Sequence, residues 1–267
     1  MTHTNTILDK IIASKMEELK KAKSSIPLET LKKSLDTRET EVRNFKKAIS
    51  GVKELSLIAE IKKASPSLGT IVDDFDHLKI AQEYQLSLLV DAISIITEND
   101  HFQGGLSFIR DIKPLTSVPL FRKDFIVDEY QIYETFLAES DALLLIAAIL
   151  DVDELKNFLH ISRSLGMDCL VETHNEIEVR NAIKAGASII GINARDLKTF
   201  EVSKNLFEEL AKIIPKNIIT VAESGLETFE DVEKVKQAGA DAILVGTSIM
   251  KARNKKLQIQ KLLGKSD

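Results

Sequence analysis

Residues 184–193 read KAGASIIGIN and residues 237–247 read QAGADAILVGT. Each stretch sets Ala-Gly-Ala after a charged segment and then runs into a short apolar strand ending at a special residue. LAESDALLLIA (137–147) is a looser third copy. Gly186 and Gly239 fall where a helix should end in a left-handed cap before the next strand. A helix, a glycine turn and an apolar strand repeated along a chain are the building unit of an α/β barrel.

Outward from these copies the same pattern continues. Apolar runs occur at LSLIAEIKK (55–63), DAISIIT (91–97), VPLFRKD (118–124), DALLLIA (141–147), MDCLVET (167–173), SIIGINA (188–194), NIITVAES (217–224) and DAILVGT (241–247). Near-continuous Ile, Leu, Val and Ala suit parallel strands covered on both faces, and the intervals between runs fit crossover helices. Eight strand-helix units predict a single (β/α)8 TIM barrel in the α/β class. A doubly wound sheet is the competing architecture, but its G-x-G-x-x-G turn after the first strand is missing.

The first 48 residues follow another rhythm. Ile7, Leu8, Ile11, Ile12 and Leu19 recur at helical spacing among Lys and Glu, and a second helical stretch is expected over roughly Leu28 to Lys47. Residues 1–48 are therefore read as an N-terminal helical extension of the same domain, and residues 49–267 as the barrel. The first 23 residues have neither a continuous apolar core nor a small-residue cleavage site, which argues against a signal peptide.

Composition narrows the function. The 267 residues are 44% hydrophobic and 29% charged, with 11 Gly and 5 Pro, as expected of a globular protein with a sizeable core. A formal net charge of −5 gives no global attraction to nucleic acid or to an anionic membrane, so a phosphate-bearing ligand must be held locally. No run approaches the length of a membrane span. Cys169 has no partner for a disulfide or a metal site and is out of phase with Glu172, which assigns it to the outer core. The five histidines show no ligand spacing and are read as surface or loop residues. A cytoplasmic location is expected.

Barrel active sites lie at the C-terminal ends of the strands, and polar residues gather there. Glu60 and Lys62 end the first run, Lys123 the third, Glu172 the fifth, Asn193 the sixth and Glu223 the seventh, with Arg195 just beyond Asn193. Alternation puts Glu60 and Lys62 on one face with Ile58, Lys123 with Phe121, Glu172 with Leu170, and Glu223 with Val221. Ionisable groups converging on one mouth of an apolar core require pairing or a ligand. For phosphate, Ser224-Gly225 follows the seventh run, and Gly246-Thr247-Ser248 follows the eighth. Backbone N–H groups in that pair of loops often bind phosphate, and Ser65 in the first loop adds a donor.

In order and position these motifs resemble the indole-3-glycerol phosphate synthase family over nearly the whole chain. The blocks are AEIKKASPS (59–67), FRKDF (121–125), YQIYE (130–134), LVETH (170–174), GINARDL (191–197), AESGL (222–226) and LVGTSIM (244–250), with ILDKIIASK (7–15) resembling the family's first helix. The resemblance implies ring closure, decarboxylation and dehydration of 1-(2-carboxyphenylamino)-1-deoxyribulose 5-phosphate in tryptophan biosynthesis, with no metal or organic cofactor. It implies that Lys123 is the general acid, that Glu172 transfers a proton near the anilino nitrogen, and that Lys62 pairs with the substrate carboxylate. It further implies that Glu60, Asn193 and Glu223 hold hydroxyls or orient the lysines. Arg195 matches a cation at the mouth. Ser65, Ser224, Gly225, Leu244, Gly246 and Thr247 match the phosphate and ring contacts. The extension is implied to lie across the barrel mouth.

The sequence departs from the family pattern at Ala194, His101, Gly105 and Ser203, where a second Asn, a Phe, a Ser and an Asp are frequent. None of these removes a proposed acid, base or phosphate loop. The partners implied are a phosphorylated small molecule and no nucleic acid or membrane, with the chain acting as a monomer and a dimer left open. The competing functions are another phosphate-binding barrel enzyme, such as a phosphoribosyl-sugar isomerase, and a non-catalytic phosphate-binding barrel. The first should present a Cys or Asp pair at the strand ends, and the second should have lost its polar strand ends.

Overall fold

The computed structural model describes residues 6–39, 41–50, 55–197 and 199–265. The eight apolar runs form β1 (Ser56–Ile61), β2 (Ala92–Ile96), β3 (Leu120–Lys123), β4 (Ala142–Ile146), β5 (Asp168–Thr173), β6 (Ile189–Asn193), β7 (Ile219–Glu223) and β8 (Ala242–Val245). They pair in chain order, all parallel, and β8 returns to β1 to close the barrel. Three helices precede it: α1 (Ile7–Ser25), α2 (Leu28–Lys33) and α3 (Phe45–Ala48). Then α4 (His77–Ser87), α5 (Ser107–Ile112), α6 (Glu129–Leu137), α7 (Val152–Ser164), α8 (Glu176–Ala185), α9 (Leu206–Leu210) and α10 (Phe229–Gln237) follow β1 to β7, and α11 (Thr247–Met250) and α12 (Lys255–Leu262) follow β8. This is a TIM barrel with a helical N-terminal region.

Strand alternation divides the core in two. Ile58, Phe121, Leu144, Leu170, Val221 and Leu244 pack inside the barrel. Leu57, Ile95, Leu143, Val171, Ile192 and Ile243 face outward onto helix residues such as Leu155, Val179 and Val235. Each such side chain contributes roughly 1.5–3 kcal/mol on burial, so a one-residue slip of any strand would exchange the two layers at large cost. Cys169 belongs to the outer layer, where burial pushes its thiol up to about 12.

The repeated Asp-Ala that opens three of the strands has a structural reason. Asp91, Asp141 and Asp241 stand just before β2, β4 and β8. Each carboxylate accepts a hydrogen bond from the backbone of the preceding strand: from Leu57 N at 2.9 Å, Leu120 N at 2.8 Å and Thr220 N at 2.8 Å. Near the start of a buried strand these amides need an acceptor, and the short Asp side chain supplies one. Gly186 and Gly239 adopt the left-handed conformation expected of them, at φ +86° and +95°.

The N-terminal region differs from expectation in one respect. The helix expected over 28–47 is broken: α2 ends at Lys33, a single 3-10 turn covers Leu35–Thr37, and α3 is a separate element. Between them, tertiary partners replace helical hydrogen bonds. Arg38 donates to Phe136 O and Ser140 O, Arg43 donates to Val118 O, and Arg43 N donates to Asp141 at 2.8 Å. The chain thereby passes from the barrel's mouth to its base. α1 touches the loops at the C-terminal strand ends, through Ser14–Asp100, Lys15–Asp124 and Lys23–Asp128. α3 instead sets Phe45 against Phe121 inside the barrel, with ring centroids 5.2 Å apart, and Lys46 N donates to Asp168 at the start of β5. The extension thus covers the mouth with its first helix and plugs the base with its last.

Candidate active site

The polar strand ends meet in one cavity of about 270 Å³. Glu60 and Lys62 come from β1 and its end, Lys123 from β3, Glu172 from β5, Asn193 and Arg195 from β6 and its loop, and Glu223 from β7. Ser65, Ser224, Gly225, Leu244, Gly246 and Thr247 line the same space. All of the candidate catalytic and substrate-binding residues named from the sequence therefore line one cavity.

Lys123 is at its centre. Its Nζ donates to Glu172 Oε2 at 2.8 Å and to Glu223 Oε2 at 3.1 Å, while Lys62 Nζ donates to Glu60 Oε1 at 2.5 Å. The three glutamates are nearly fully buried. Burial alone would discharge Lys123, but Glu172, Glu223 and Glu60 outweigh it and hold the ammonium well above the ordinary lysine range. Glu172 is likewise opposed by burial, yet Lys123 and His174 keep it well below the usual carboxylate range. For Glu223, burial prevails over the pull of Lys123, and repulsion from Glu172 and Glu60 helps raise it to about 7. The cluster thus contains a charged ammonium, an ionised carboxylate and a carboxyl poised near neutrality, three groups whose environments push their protonation apart.

Two glycines make this convergence possible. Gly191 faces inward on β6 between Glu172 and Glu223, and a Cβ there would collide with Glu223 Oε1 and Leu170. At Gly246 a Cβ would collide with Glu60. In the loop after β7, Ser224 and Gly225 are both left-handed, at φ +64° and +71°, which turns the chain sharply at the strand end. Asn193 Oδ1 accepts from Arg195 N at 3.0 Å, and the Arg195 guanidinium donates to Phe200 O at 3.1 Å, which fixes the loop after β6. Among the described residues the buried Ser65 Oγ has no hydrogen-bond partner.

Several lining residues escaped the sequence reading. Glu98, Phe102, Phe125, Leu144 and Lys251 join the cavity. Leu144 could have been found by the alternation that placed Phe121 and Leu170, but its strand ends without a polar residue to draw attention. Glu98 is buried and accepts from His101 N and Phe102 N at 2.8 and 2.9 Å, so it shapes the loop that carries Phe102. His174 has a contact that the sequence did not show. It lies in the loop from β5 into α8, as read, but its largely covered ring stands against Glu172, because the turn folds back over the strand end. Among the described residues, no group of three or more His, Cys, Asp or Glu is arranged to hold a metal ion, and no helix is long and apolar enough to cross a membrane.

A closed parallel barrel whose strand ends gather lysines and glutamates beneath two glycine-bearing loops defines an acid–base barrel enzyme. Within that class the assignment is specific: the chain belongs to the indole-3-glycerol phosphate synthase family, whose model matches residues 8–262. This family consists of decarboxylating carbon–carbon lyases of tryptophan biosynthesis and binds a phosphorylated small molecule. Indole-3-glycerol phosphate synthases of Alkaliphilus metalliredigens and Thermoanaerobacter pseudethanolicus are each 46% identical to it over 246 residues. The alignments cover 92% of this chain and 94% and 92% of theirs. Among solved structures, 3-hexulose-6-phosphate synthase from Salmonella typhimurium superimposes with a TM-score of 0.60 at 16% identity, covering 78% of this chain and 96% of that one. That likeness concerns the fold alone.

Proposed function

We propose that this chain converts 1-(2-carboxyphenylamino)-1-deoxyribulose 5-phosphate into indole-3-glycerol phosphate, CO2 and water. The observation that carries this reading is the Lys123 ammonium, held charged between Glu172 and Glu223 inside the barrel. Ring closure adds the aromatic carbon that bears the carboxylate to the ribulose carbonyl, and a proton must meet the oxyanion that develops. Lys123 donates it. Lys62 pairs with the substrate carboxylate until carbon dioxide leaves. Dehydration then expels the hydroxyl as water, with Lys62 or Lys123 as the acid, while Glu172 takes the proton of the anilino nitrogen; the nitrogen regains a proton as the neighbouring ring CH2 loses one, which leaves the indole N–H in place. Glu60, Glu223 and Asn193 orient the lysines and hold substrate hydroxyls, and Arg195 stands at the mouth.

In the same reading, Ser65, Ser224, Gly225, Gly246 and Thr247 take the phosphate, and Leu244 packs on the substrate. Against the isomerase alternative, the cavity lining among the described residues holds a single aspartate, Asp124, and no cysteine, since Cys169 faces the outer helices; a non-catalytic barrel would not keep this buried charge cluster. Residues 1–48 are part of the same domain as the barrel, and the enzyme acts in the cytoplasm on a phosphorylated small molecule, as a monomer with a dimer left open.

The test is to incubate the purified protein with the carboxyphenylamino-deoxyribulose phosphate, with and without chelator, and to follow indole fluorescence. Product should appear equally in both. Lys123→Met should fold and lose about 10²-fold or more in turnover, the scale of a lost general acid. Turnover within threefold of wild type would remove Lys123 from the chemistry.

A further inference from the structure

Lys123 has two nearly equivalent carboxylate neighbours, at 2.8 and 3.1 Å. Nothing in that pair of distances decides which of them holds a proton. The asymmetry comes from behind Glu172. His174 Nε2 lies 3.4 Å from Glu172 Oε1, on the side of the carboxylate away from Lys123, and its Nδ1 lies 3.2 Å from Glu178 Oε2 on α8. The same Glu178 oxygen accepts from His174 N at 2.7 Å, and Glu178 Oε1 accepts from Asn175 Nδ2 at 2.6 Å, so Glu178 is fixed. Only 10% of the His174 side chain is exposed.

A neutral imidazole has one N–H and one lone pair, whereas a carboxylate oxygen only accepts. With a carboxylate at each ring nitrogen, the neutral form would turn a lone pair toward an anion. Nε2 reaches Glu172 at ion-pair distance and makes no hydrogen bond among the described residues, so only the doubly protonated ring turns positive charge toward both carboxylates. We propose that His174 is a positioning residue, held as an imidazolium between Glu172 and Glu178, that keeps Glu172 ionised and thereby leaves Glu223 as the carboxyl beside Lys123 that carries a proton. The inference rests on the proposed reaction only in giving Glu172 the role of base.

The electrostatic balance agrees with the geometry. Burial works against the charged ring, but Glu172 and Glu178, the ionisable groups that act on it, outweigh burial and hold it at about 10. Among the described residues Glu223 faces no such second cation; its charged neighbours are Lys123, Glu172 and Glu60, and its buried Oε1 has no hydrogen-bond partner. A carboxylate that must accept a proton has to be empty before its step, and a cation behind it secures that state without occupying the cavity.

Two measurements test this. In protein labelled with 15N-histidine, the His174 ring, assigned by comparison with His174→Asn or Glu178→Gln, should carry both N–H protons at about pH 8. A singly protonated ring there would overturn the proposal, whatever the enzyme turns over. Second, the ratio of wild-type to His174→Asn kcat/KM should grow at least threefold between about pH 8 and about pH 5.5, because an unsupported Glu172 takes up a proton as the pH falls. Glu178→Gln should move the ratio in the same direction by less. A role confined to packing would lower kcat/KM by one factor at every pH, and a constant ratio would overturn the proposal.

Discussion

Lys15 of α1 places its ammonium 3.0 Å from Asp124 Oδ1, and Asp124 directly follows Lys123. Both side chains are almost completely buried. Asp124 is the hub of a polar knot on the outer side of β3. Its other oxygen accepts from Thr97 Oγ1 at 2.6 Å and Arg122 Nη2 at 2.9 Å, and Oδ1 also accepts from Phe125 N at 2.8 Å. The first helix of the chain is thereby tied to the strand end that presents the candidate acid.

Removing Lys15 leaves a buried carboxylate short of one cation. Lys15→Met should cost about 3–5 kcal/mol, the scale of breaking a buried pair from one side. Burial opposes the charge on Asp124, but Arg122, Lys15 and Thr97 hold its carboxyl below the ordinary value. Burial also opposes Lys15, and Asp124 and Glu18 hold it above the ordinary value. The pair's contribution is therefore present between the unfolded values of about 3.9 and about 10.4. It fades as pH falls through the lowered Asp124 value and as pH rises through the raised Lys15 value. Denaturant unfolding of both proteins should show a gap that is flat near neutrality and narrows toward both extremes. Equal midpoints at pH 7 would contradict it.

Gly191→Ala tests the packing of the cluster. One methyl on β6 must displace Glu223 or Leu170, and overpacking of this kind costs about 1–3 kcal/mol. The larger effect should fall on activity. Displaced by the methyl, Glu223 loses its place 3.1 Å from Lys123, and turnover should drop by about 10²-fold, as for a misplaced acid. Turnover near wild type in a folded Gly191→Ala protein would mean that Glu223 is not needed where it stands.

Ser65→Ala should separate stability from binding. A buried hydroxyl without a partner costs about 1–3 kcal/mol, so its removal should leave the melting temperature unchanged or higher. If Ser65 donates to the substrate phosphate, KM for the substrate and the inhibition constant of inorganic phosphate should both rise about tenfold. Unchanged values for both would place the phosphate away from the first loop.

The barrel and its mouth were legible because both follow from short-range rules. Two-residue alternation aligned Glu60, Lys123, Glu172 and Glu223 with their apolar neighbours, and the repeated helix-glycine-strand unit set the topology. His174 was not legible, since its partners are a strand residue two positions back and a helix residue four positions on, brought together by a turn whose path no periodicity records. The break at residues 34–44 was hidden for a related reason. The arginines that end the helical pattern look like any solvated face until the carbonyls of Phe136, Ser140 and Val118 are in place to receive them.

The extension invites two truncations with different outcomes. Residues 1–26 contribute Leu8 and Ile11 to the cluster that includes Phe125, with Phe102 packed against it, and both Phe side chains line the cavity. Their removal opens the mouth to water, weakening the electrostatic interactions among Lys62, Lys123 and the glutamates. The shortened protein should fold, with stability reduced by the loss of the Lys15–Asp124 pair, and should bind substrate more weakly, while inhibition by phosphate changes less. Removal of residues 1–49 also takes away Phe45 and Ile49, both fully buried. That opens the base of the barrel beneath Phe121, two residues from Lys123. Phe45→Ala alone should cost about 3–5 kcal/mol, so the longer truncation should fail to give a cooperative unfolding transition. If the protein lacking residues 1–49 unfolds as cooperatively as the one lacking residues 1–26, α3 is not the plug that its contacts describe.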